Sequence, residues 1–312
     1  MTTGFIHSPS SLHHDMGSDH PESPARVQAI LDHLRATGTW SSLDVYTAPL
    51  AEDRHLTAVH TPRYLQQLKQ LAPKHGNVHA GPDTVMSPHS LEAAYRAAGC
   101  GIQAVDGIMN HLYQNAFCLT RPPGHHAEPG ITMGFCFFNN VAIAARYLQQ
   151  NYGVKRLAVI DFDVHQGNGT AEALQKDKNI LFISSFQHPF YPHSHWETDS
   201  PNMLFSPLPQ GSNGQLIRDI WVQDWQPALR TWRPEVILVS AGFDAHRDDP
   251  LAELNWSTDD YHWLTQAIAR EAGEGGARGR VISFLEGGYN LDALAHSVDA
   301  HLQALLVAGE PA

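Results

Sequence analysis

The stretch LAVIDFDVHQGNG, residues 157–169, joins an apolar run directly to alternating acidic and imidazole side chains. Leu157 to Ile160 carry no polar side chain, so they read as a strand buried on both faces of a parallel sheet, which puts the chain in the α/β class. Side chains two residues apart share a face of a strand, so Asp161, Asp163 and His165 are expected to point the same way. Carboxylate oxygen and neutral imidazole nitrogen suit a divalent ion such as zinc, which in catalytic sites takes about three protein ligands and keeps a position for water. An acidic strand end that caps the helix after Gly167 and Gly169 accounts for the same letters, and DxDxH alone does not decide between the two.

The same arrangement recurs along the chain. AFCLT (116–120) precedes RPPGHH, ILFIS (180–184) precedes SFQHPFYPHSH, VILVS (236–240) precedes AGFDAHRDD, and VISFL (281–285) precedes EGGYN. Helical spacing fills most intervals, near 139–151, 214–230, 258–272 and 291–307, which predicts a parallel sheet with covering helices. Upstream, Pro24 follows the candidate cap Ser23, and Val27, Ile30, Leu31 and Leu34 keep helical spacing until Gly38. Helical periodicity also covers 62–71 and 90–111, whereas 76–87 reads as loop and 1–24 as a polar loop on the surface. In such folds ligands bind beyond the carboxyl ends of the strands, and every unusual polar cluster of this sequence falls there.

With 312 residues, 42% hydrophobic content and no Pro/Gly/Ser-rich linker or internal repeat, residues 1–312 read as one domain. A net charge of −12 leaves no basic face for a phosphate backbone, so nucleic acid is not an expected partner and cationic ligands suit better. Most of the 21 histidines must be surface or hydrogen-bonded core residues. Cys100, Cys118 and Cys136 form no CxxC pair and predict free thiols in a reducing compartment. MTTGFIHSPS lacks a basic segment followed by an apolar one, and no run of apolar residues is long enough to span a bilayer. The expectation is a soluble, cytoplasmic protein with no membrane partner.

Taken together, the polar clusters make one apparatus. Arg121-Pro122-Pro123-Gly124 stiffens the backbone that delivers His125 and His126, which suit acid–base work, although an HH dipeptide by itself is weak evidence. Asp161 is placed to orient one imidazole and Asn168 the other, while Asp163 and His165 hold metal. Asp244, after another strand, completes the ligand set. Tyr289 follows two glycines and offers a neutral donor to a developing oxyanion; a core tyrosine with a satisfied hydroxyl is the bland alternative.

RPPGHHAEPGITMGFCFFNN, DFDVHQGNGT, SAGFDAHRDDP and LEGGYNL, in this order and at these separations, resemble the signature segments of the zinc-dependent histone deacetylase family. The likeness extends through DMGSDHPESPAR and HTPRYL and covers almost the whole chain. Asn168, where class I members carry aspartate, makes it similar to the class II branch and its bacterial relatives, the histone-deacetylase-like amidohydrolases and acetylpolyamine amidohydrolases. The resemblance implies the arginase/deacetylase fold, with a central parallel sheet of about eight strands and helices on both faces. It implies one Zn2+ on Asp163, His165 and Asp244, catalysis by His125, His126 and Tyr289 with Asp161 and Asn168 behind the histidines, and a tunnel of Gly134, Phe135, Tyr191, Leu251 and Gly288. It further implies a structural K+ at Asp161, Asp163, His165, Ser184 and Ser185, and an acetate channel at Arg26.

The leading expectation is therefore a zinc-dependent amidohydrolase that removes acyl groups from acyl-lysine side chains or similar long-chain amines. An acetylpolyamine deacetylase is the alternative; a small amide or ester hydrolase and a non-catalytic acyl-lysine binding module rank below it. Leu251, where a polyamine enzyme is expected to place an acidic gatekeeper, favours the acyl-lysine reading. Self-association into a homo-oligomer is compatible with everything in the sequence.

Overall fold

The computed structural model describes residues 2–194 and 197–308. Its centre is an eight-stranded, all-parallel sheet built from β1 (Thr3–His7), β2 (Leu43–Thr47), β5 (Asn115–Cys118), β6 (Leu157–Asp161), β7 (Ile180–Gln187), β8 (Met203–Leu208), β9 (Val236–Ala241) and β10 (Val281–Leu285). The spatial order is β2-β1-β5-β10-β9-β6-β7-β8. A two-stranded hairpin, β3 (Val78–His79) with β4 (Val85–Met86), stands apart from it. The helices are α1 (Pro24–Thr37), α2 (Asp53–Leu56), α3 (Pro62–Leu71), α4 (Ser90–Met109), α5 (Asn140–Tyr152), α6 (Asn168–Leu174), α7 (Gly214–Ile220), α8 (Gln226–Trp232), α9 (Thr258–Glu274) and α10 (Leu291–Ala308). The arrangement is the α/β arginase/deacetylase type implied by the resemblance.

Alternation along the central strands sorts the core into two layers. Ala158 and Ile160 of β6, with Ile237 and Val239 of β9, pack on one face against Val27, Ile30 and Leu34 of α1, Leu264 and Ile268 of α9 and Val298 and Leu302 of α10. Leu157 and Val159, with Val236, Leu238, Ile282 and Phe284, pack on the other face against Val105 and Ile108 of α4 and Val141, Ala145 and Leu148 of α5. Strands covered on both sides have no polar face, which is why they read as continuous apolar runs. The start of α1 is as the sequence predicts in position, with Ser23 at the N-cap, Pro24 next and Gly38 left-handed at the end, but the Ser23 side chain makes no capping hydrogen bond.

Three strands escape the sequence pattern. Residues 1–24 are not only surface loop, because Thr3–His7 pairs with both β2 and β5 inside the sheet and Phe5 and Ile6 are fully buried. The polar residues that follow mask this short run. At the edges, β2 exposes alternate side chains and β8 contains Pro207, which has no N–H to give a ladder and is tolerated at an edge. The predicted 76–87 loop contains the β3–β4 hairpin. Cys100, Cys118 and Cys136 are free, as predicted, and all three are buried. No helix among the described residues is long and apolar enough to cross a membrane.

Several histidines are structural. His301 on α10 is fully buried between Thr265 Oγ1 (2.7 Å from Nδ1) and Ser283 Oγ (2.9 Å from Nε2). Burial pushes it down to about 3, and His14 and His60 are pushed down to about 4 by the same cause. A histidine held neutral when folded but free to protonate when unfolded contributes stability that is complete above the unfolded pKa and is lost as pH falls toward the folded one. Denaturant stability should accordingly drop as pH falls from about 6.5 toward 3, and His301→Gln should flatten that limb by about 1.4 kcal/mol per pH unit, the contribution of one proton. An acid limb of unchanged slope in the variant would remove His301 from this account.

Candidate metal centre and active site

The loops after β5, β6, β7, β9 and β10 meet beyond the carboxyl ends of the strands. Asp163 and His165 follow β6 by a few residues, and Asp244 follows β9. Each offers one ligand atom, and the three atoms lie within 4.8 Å of one another. His165 Nδ1 is 3.0 Å from Asp163 Oδ1 and 3.3 Å from Asp244 Oδ2. Ligand atoms at zinc distances and tetrahedral angles stand about 3.4 Å apart, so these separations suit such an ion. Asp163 and Asp244 are fully buried, and Asp244 Oδ2 accepts no hydrogen bond among the described residues. Burial opposes protonation of His165, yet the two carboxylates hold its pKa up at about 10. A positive charge is therefore favoured where the three groups converge. A Cβ on Gly287 would lie 1.9 Å from Asp244 Oδ2 and 2.7 Å from Asp163 Oδ2, so only glycine leaves room for both carboxylates there. This donor set fits one divalent ion.

Asp161 does not join that set, so the alternation expected from the sequence breaks down here. The strand ends at Asp161, whose Oδ1 accepts from Asp163 N (3.1 Å) while Oδ2 meets His125 Nδ1 at 2.9 Å. Burial pushes Asp161 up to about 6, against the pull of His125. His125 is itself raised well above 6.5: burial lowers it, but Asp161, Asp163 and Glu286 together outweigh burial. His126 is depressed, by burial first and then by the positive charge of His125 and His165. Its Nδ1 donates to Asn168 Oδ1 at 2.7 Å, and Asn168 Nδ2 donates to Glu128 Oε1 at 2.8 Å, which orients the amide. With Nδ1 spent as a donor, Nε2 carries the lone pair of the neutral ring. The two imidazole rings lie 4.0 Å apart, one cationic and one neutral.

Above these groups is a pocket of about 260 Å3 lined by Phe135, Phe190, Tyr191 and Leu251, with His126, His165 and Tyr289 at its polar end and Asp83 and Gly134 at its side. Tyr289 is half-buried, and its hydroxyl has no hydrogen-bond partner among the described residues. Burial keeps it a neutral phenol, with Arg26 pulling the other way. Its backbone N–H donates to Asp249 Oδ2 at 2.7 Å, and Arg26 lies 5.0 Å from the ring centre.

The remaining sequence-predicted residues fall as follows. Gly134, Phe135, Tyr191 and Leu251 line the pocket, whereas Gly288 lies behind Tyr289, where its carbonyl accepts from Arg26 Nε at 2.6 Å. Arg26 is fully buried and also donates to Glu286 O (2.6 Å) and Glu22 Oε1 (3.2 Å), so it braces the segment that carries Tyr289. Ser184 sits beside Asp161 in register and its buried Oγ has no hydrogen-bond partner among the described residues; alternation turns the Ser185 side chain to the opposite face.

Three carboxylates have roles that the sequence did not assign. Asp83 Oδ2 accepts from Tyr191 Oη at 2.9 Å and both its oxygens accept from Gly134 N at 3.1 Å, so one side chain ties two walls of the pocket. Asp249 anchors Tyr289, and burial with Asp244 nearby pushes its carboxyl up to about 7. Glu286, pushed up to about 7 mainly by burial, lies behind the histidine pair. What marks these acids out is their partners, backbone N–H groups of Gly134, Tyr289, Gly124 and His125 far along the chain, and the sequence displays no such partner.

A doubly covered parallel sheet with paired histidines, a metal-type ligand triad and a phenol at the strand ends is an arrangement of the arginase/deacetylase class. The model of the histone deacetylase domain matches residues 20–305. Across the full length the chain is 38% identical over 310 residues to an uncharacterized protein of Synechocystis, covering 97% of this chain and 99% of that one. It is 35% identical over 299 residues to the histone deacetylase-like amidohydrolase of Pseudomonas aeruginosa, covering 92% of this chain and 75% of that one. Histone deacetylase 14, chloroplastic, of Arabidopsis thaliana is 36% identical over 319 residues, with 95% and 75% covered. The crystal structure of the HDA15 HD domain superposes with a TM-score of 0.90 at 28% identity, over 100% of this chain and 91% of that chain. The chain belongs to the histone deacetylase family.

Gly134 adopts φ +55°, and a Cβ there would lie 2.1 Å from His126 Cδ2. Gly134→Ala should therefore displace the His126 ring and destabilise the fold by about 1–3 kcal/mol through overpacking and left-handed strain. Thermal unfolding and a high-resolution structure of the variant would check this; an undisturbed His126 at wild-type stability would refute the close fit.

Proposed function

We propose that the chain is a zinc-dependent amidohydrolase that removes acetyl or related acyl groups from the terminal amine of acyl-lysine side chains or similar long-chain amines. The observation that carries this reading is the pocket: apolar walls of Phe135, Phe190, Tyr191 and Leu251 lead to His126, His165 and Tyr289. An aliphatic stem gains contact with the walls, and the amide reaches the polar end.

Asp163, His165 and Asp244 would hold the metal, which when bound supplies Lewis acidity toward a carbonyl oxygen and acidifies water. His126, neutral with Nε2 unprotonated, takes a proton from the attacking water; Asn168 fixes its tautomer. His125, paired with Asp161, holds the positive charge beside it, and an imidazolium of the pair gives its proton to the leaving amine. Tyr289 remains a neutral phenol and donates a hydrogen bond from its unspent hydroxyl to the amide oxygen as negative charge develops there. Arg26 is assigned to the path by which acetate leaves. The reading includes a potassium ion at Asp161, Asp163, His165, Ser184 and Ser185, supported by the buried Ser184 hydroxyl, which has no hydrogen-bond partner among the described residues.

An apolar side chain at Leu251, with the carboxylate of the lining residue Asp83 already accepting from Tyr191 Oη and Gly134 N, supports acyl-lysine over acetylated polyamines, whose distant ammonium needs a free counter-charge near the mouth. Tyr289→Phe should lower turnover of an acetyl-lysine peptide by about two orders of magnitude, the scale of one oxyanion donor, while one zinc per chain remains by elemental analysis. Turnover near the wild-type rate, or zinc that survives loss of Asp244 by substitution to Ala, would sink the roles assigned. Kinetics on N-acetylputrescine, N8-acetylspermidine and acetyl-lysine peptides should give the peptides the higher specificity constant. A hundredfold preference for the polyamines, about 2.7 kcal/mol of differential transition-state binding, would reverse the substrate assignment and leave the chemistry standing.

A further inference from the structure

We propose that Glu286 is a positioning residue of the reaction, whose buried side chain fixes the tandem-histidine loop against the strand ends that carry the metal ligands. The inference rests on the deacetylase reading above. His125 lies seven residues beyond Cys118, the last residue of β5, whereas Asp163 lies two beyond the end of β6 and Asp244 three beyond the end of β9. The histidines are thus the catalytic groups least constrained by their own strand.

Glu286 supplies the missing constraint. It is fully buried, immediately after β10, and its Oε2 accepts from the backbone N–H of Gly124 at 2.7 Å and of His125 at 3.1 Å. Its Oε1 accepts from Ser240 Oγ on β9 at 3.0 Å. The backbone on either side is equally engaged. Glu286 N donates to Ala241 O (3.0 Å), Glu286 O accepts from Arg26 Nη2 (2.6 Å), and Gly287 N donates to Asp163 Oδ2 (2.9 Å). One residue therefore refers the histidine loop, β9 and α1 to a common point, and its neighbour adds a metal-ligand carboxylate. Two backbone donors in a dry interior need an acceptor, and no other acceptor is bonded to either N–H among the described residues. The Glu286 side chain holds His125 through the loop backbone and does not touch the pocket; its charge is the least of the three acids around the His125 ring, after Asp161 and Asp163.

What the loop requires is an acceptor oxygen at a fixed place, and a neutral amide supplies that as well as a carboxylate. Glu286→Gln keeps the oxygen in position and can turn its N–H toward Ser240, while Glu286→Asp keeps the charge and withdraws the oxygen by a methylene. Steady-state kcat and KM for an acetyl-lysine peptide should be measured on the full zinc-loaded chain, with zinc content and thermal midpoint recorded for each variant. Since about 1 Å of misplacement costs about a hundredfold in rate, Glu286→Asp and Glu286→Ala should lose about 30- to 100-fold in kcat at nearly unchanged KM with zinc retained. Glu286→Gln should stay within about threefold of wild type, on the same reasoning. If Glu286→Ala does not fold, the order of the Gln and Asp variants still decides. An Asp variant more active than the Gln variant, or losses that follow zinc content, would overturn the positioning role. A wild-type chain inactive on every acetylated amine would instead refute the deacetylase reading.

Discussion

Four carboxylates, those of Asp161, Asp163, Asp244 and Glu286, are buried together at the ends of β6, β9 and β10. Unpaired charges in a dry interior are costly enough that each must be given donors, a cation or a proton. The rest of the site follows from how that demand is met. Asp161 takes a histidine, Glu286 takes two backbone N–H groups and a serine hydroxyl, and Asp163 takes backbone N–H groups from both His165 and Gly287. Asp244 has Val164 N for one oxygen and nothing but the face of the ligand triad for the other. The residual demand is positive charge at one point, which is the electrostatic reason a divalent ion belongs there.

Meeting the same demand separates the two histidines chemically. His125 lies among three acids and is held charged, whereas His126 has a neutral amide partner and two cationic neighbours and is held neutral. Adjacent residues of one type thus acquire opposite protonation from their partners alone. Asn168 contributes because it is uncharged: a carboxylate in its place would add attraction for a proton on His126.

The pocket shows how walls on separate loops are kept at a working distance. Phe135 sits at φ +67° immediately after Gly134, and Tyr191 approaches from the loop after β7. Asp83 joins them by hydrogen bonds to Gly134 N and Tyr191 Oη, so the pocket width depends on a carboxylate beside the hairpin of β3 and β4. A tyrosine at position 191 is therefore more than an apolar wall; its hydroxyl is a structural tie. Asp249 holds the Tyr289 backbone in the same way from the loop after β9.

Five of the eight strands were legible in the sequence because a strand covered on both faces must be apolar throughout, and the clusters after them were legible because polar side chains at such strand ends have few structural uses. The identities of Asp163, His165, Asp244, His125, His126 and Tyr289 were readable for that reason and through the family resemblance. The short strand β1 and the edge strands β2 and β8 were not, since a few residues with one solvated side or a proline carry too weak a pattern. Sequence spacing also could not tell that Asp161 serves His125 and leaves the ligand set to Asp163 and His165. Alternation holds only while the chain stays extended, and β6 ends at Asp161. The roles of Asp83, Asp249 and Glu286 were decided only by tertiary structure. Each depends on backbone N–H groups 40 to 162 residues away, and a backbone donor leaves no letter in the sequence.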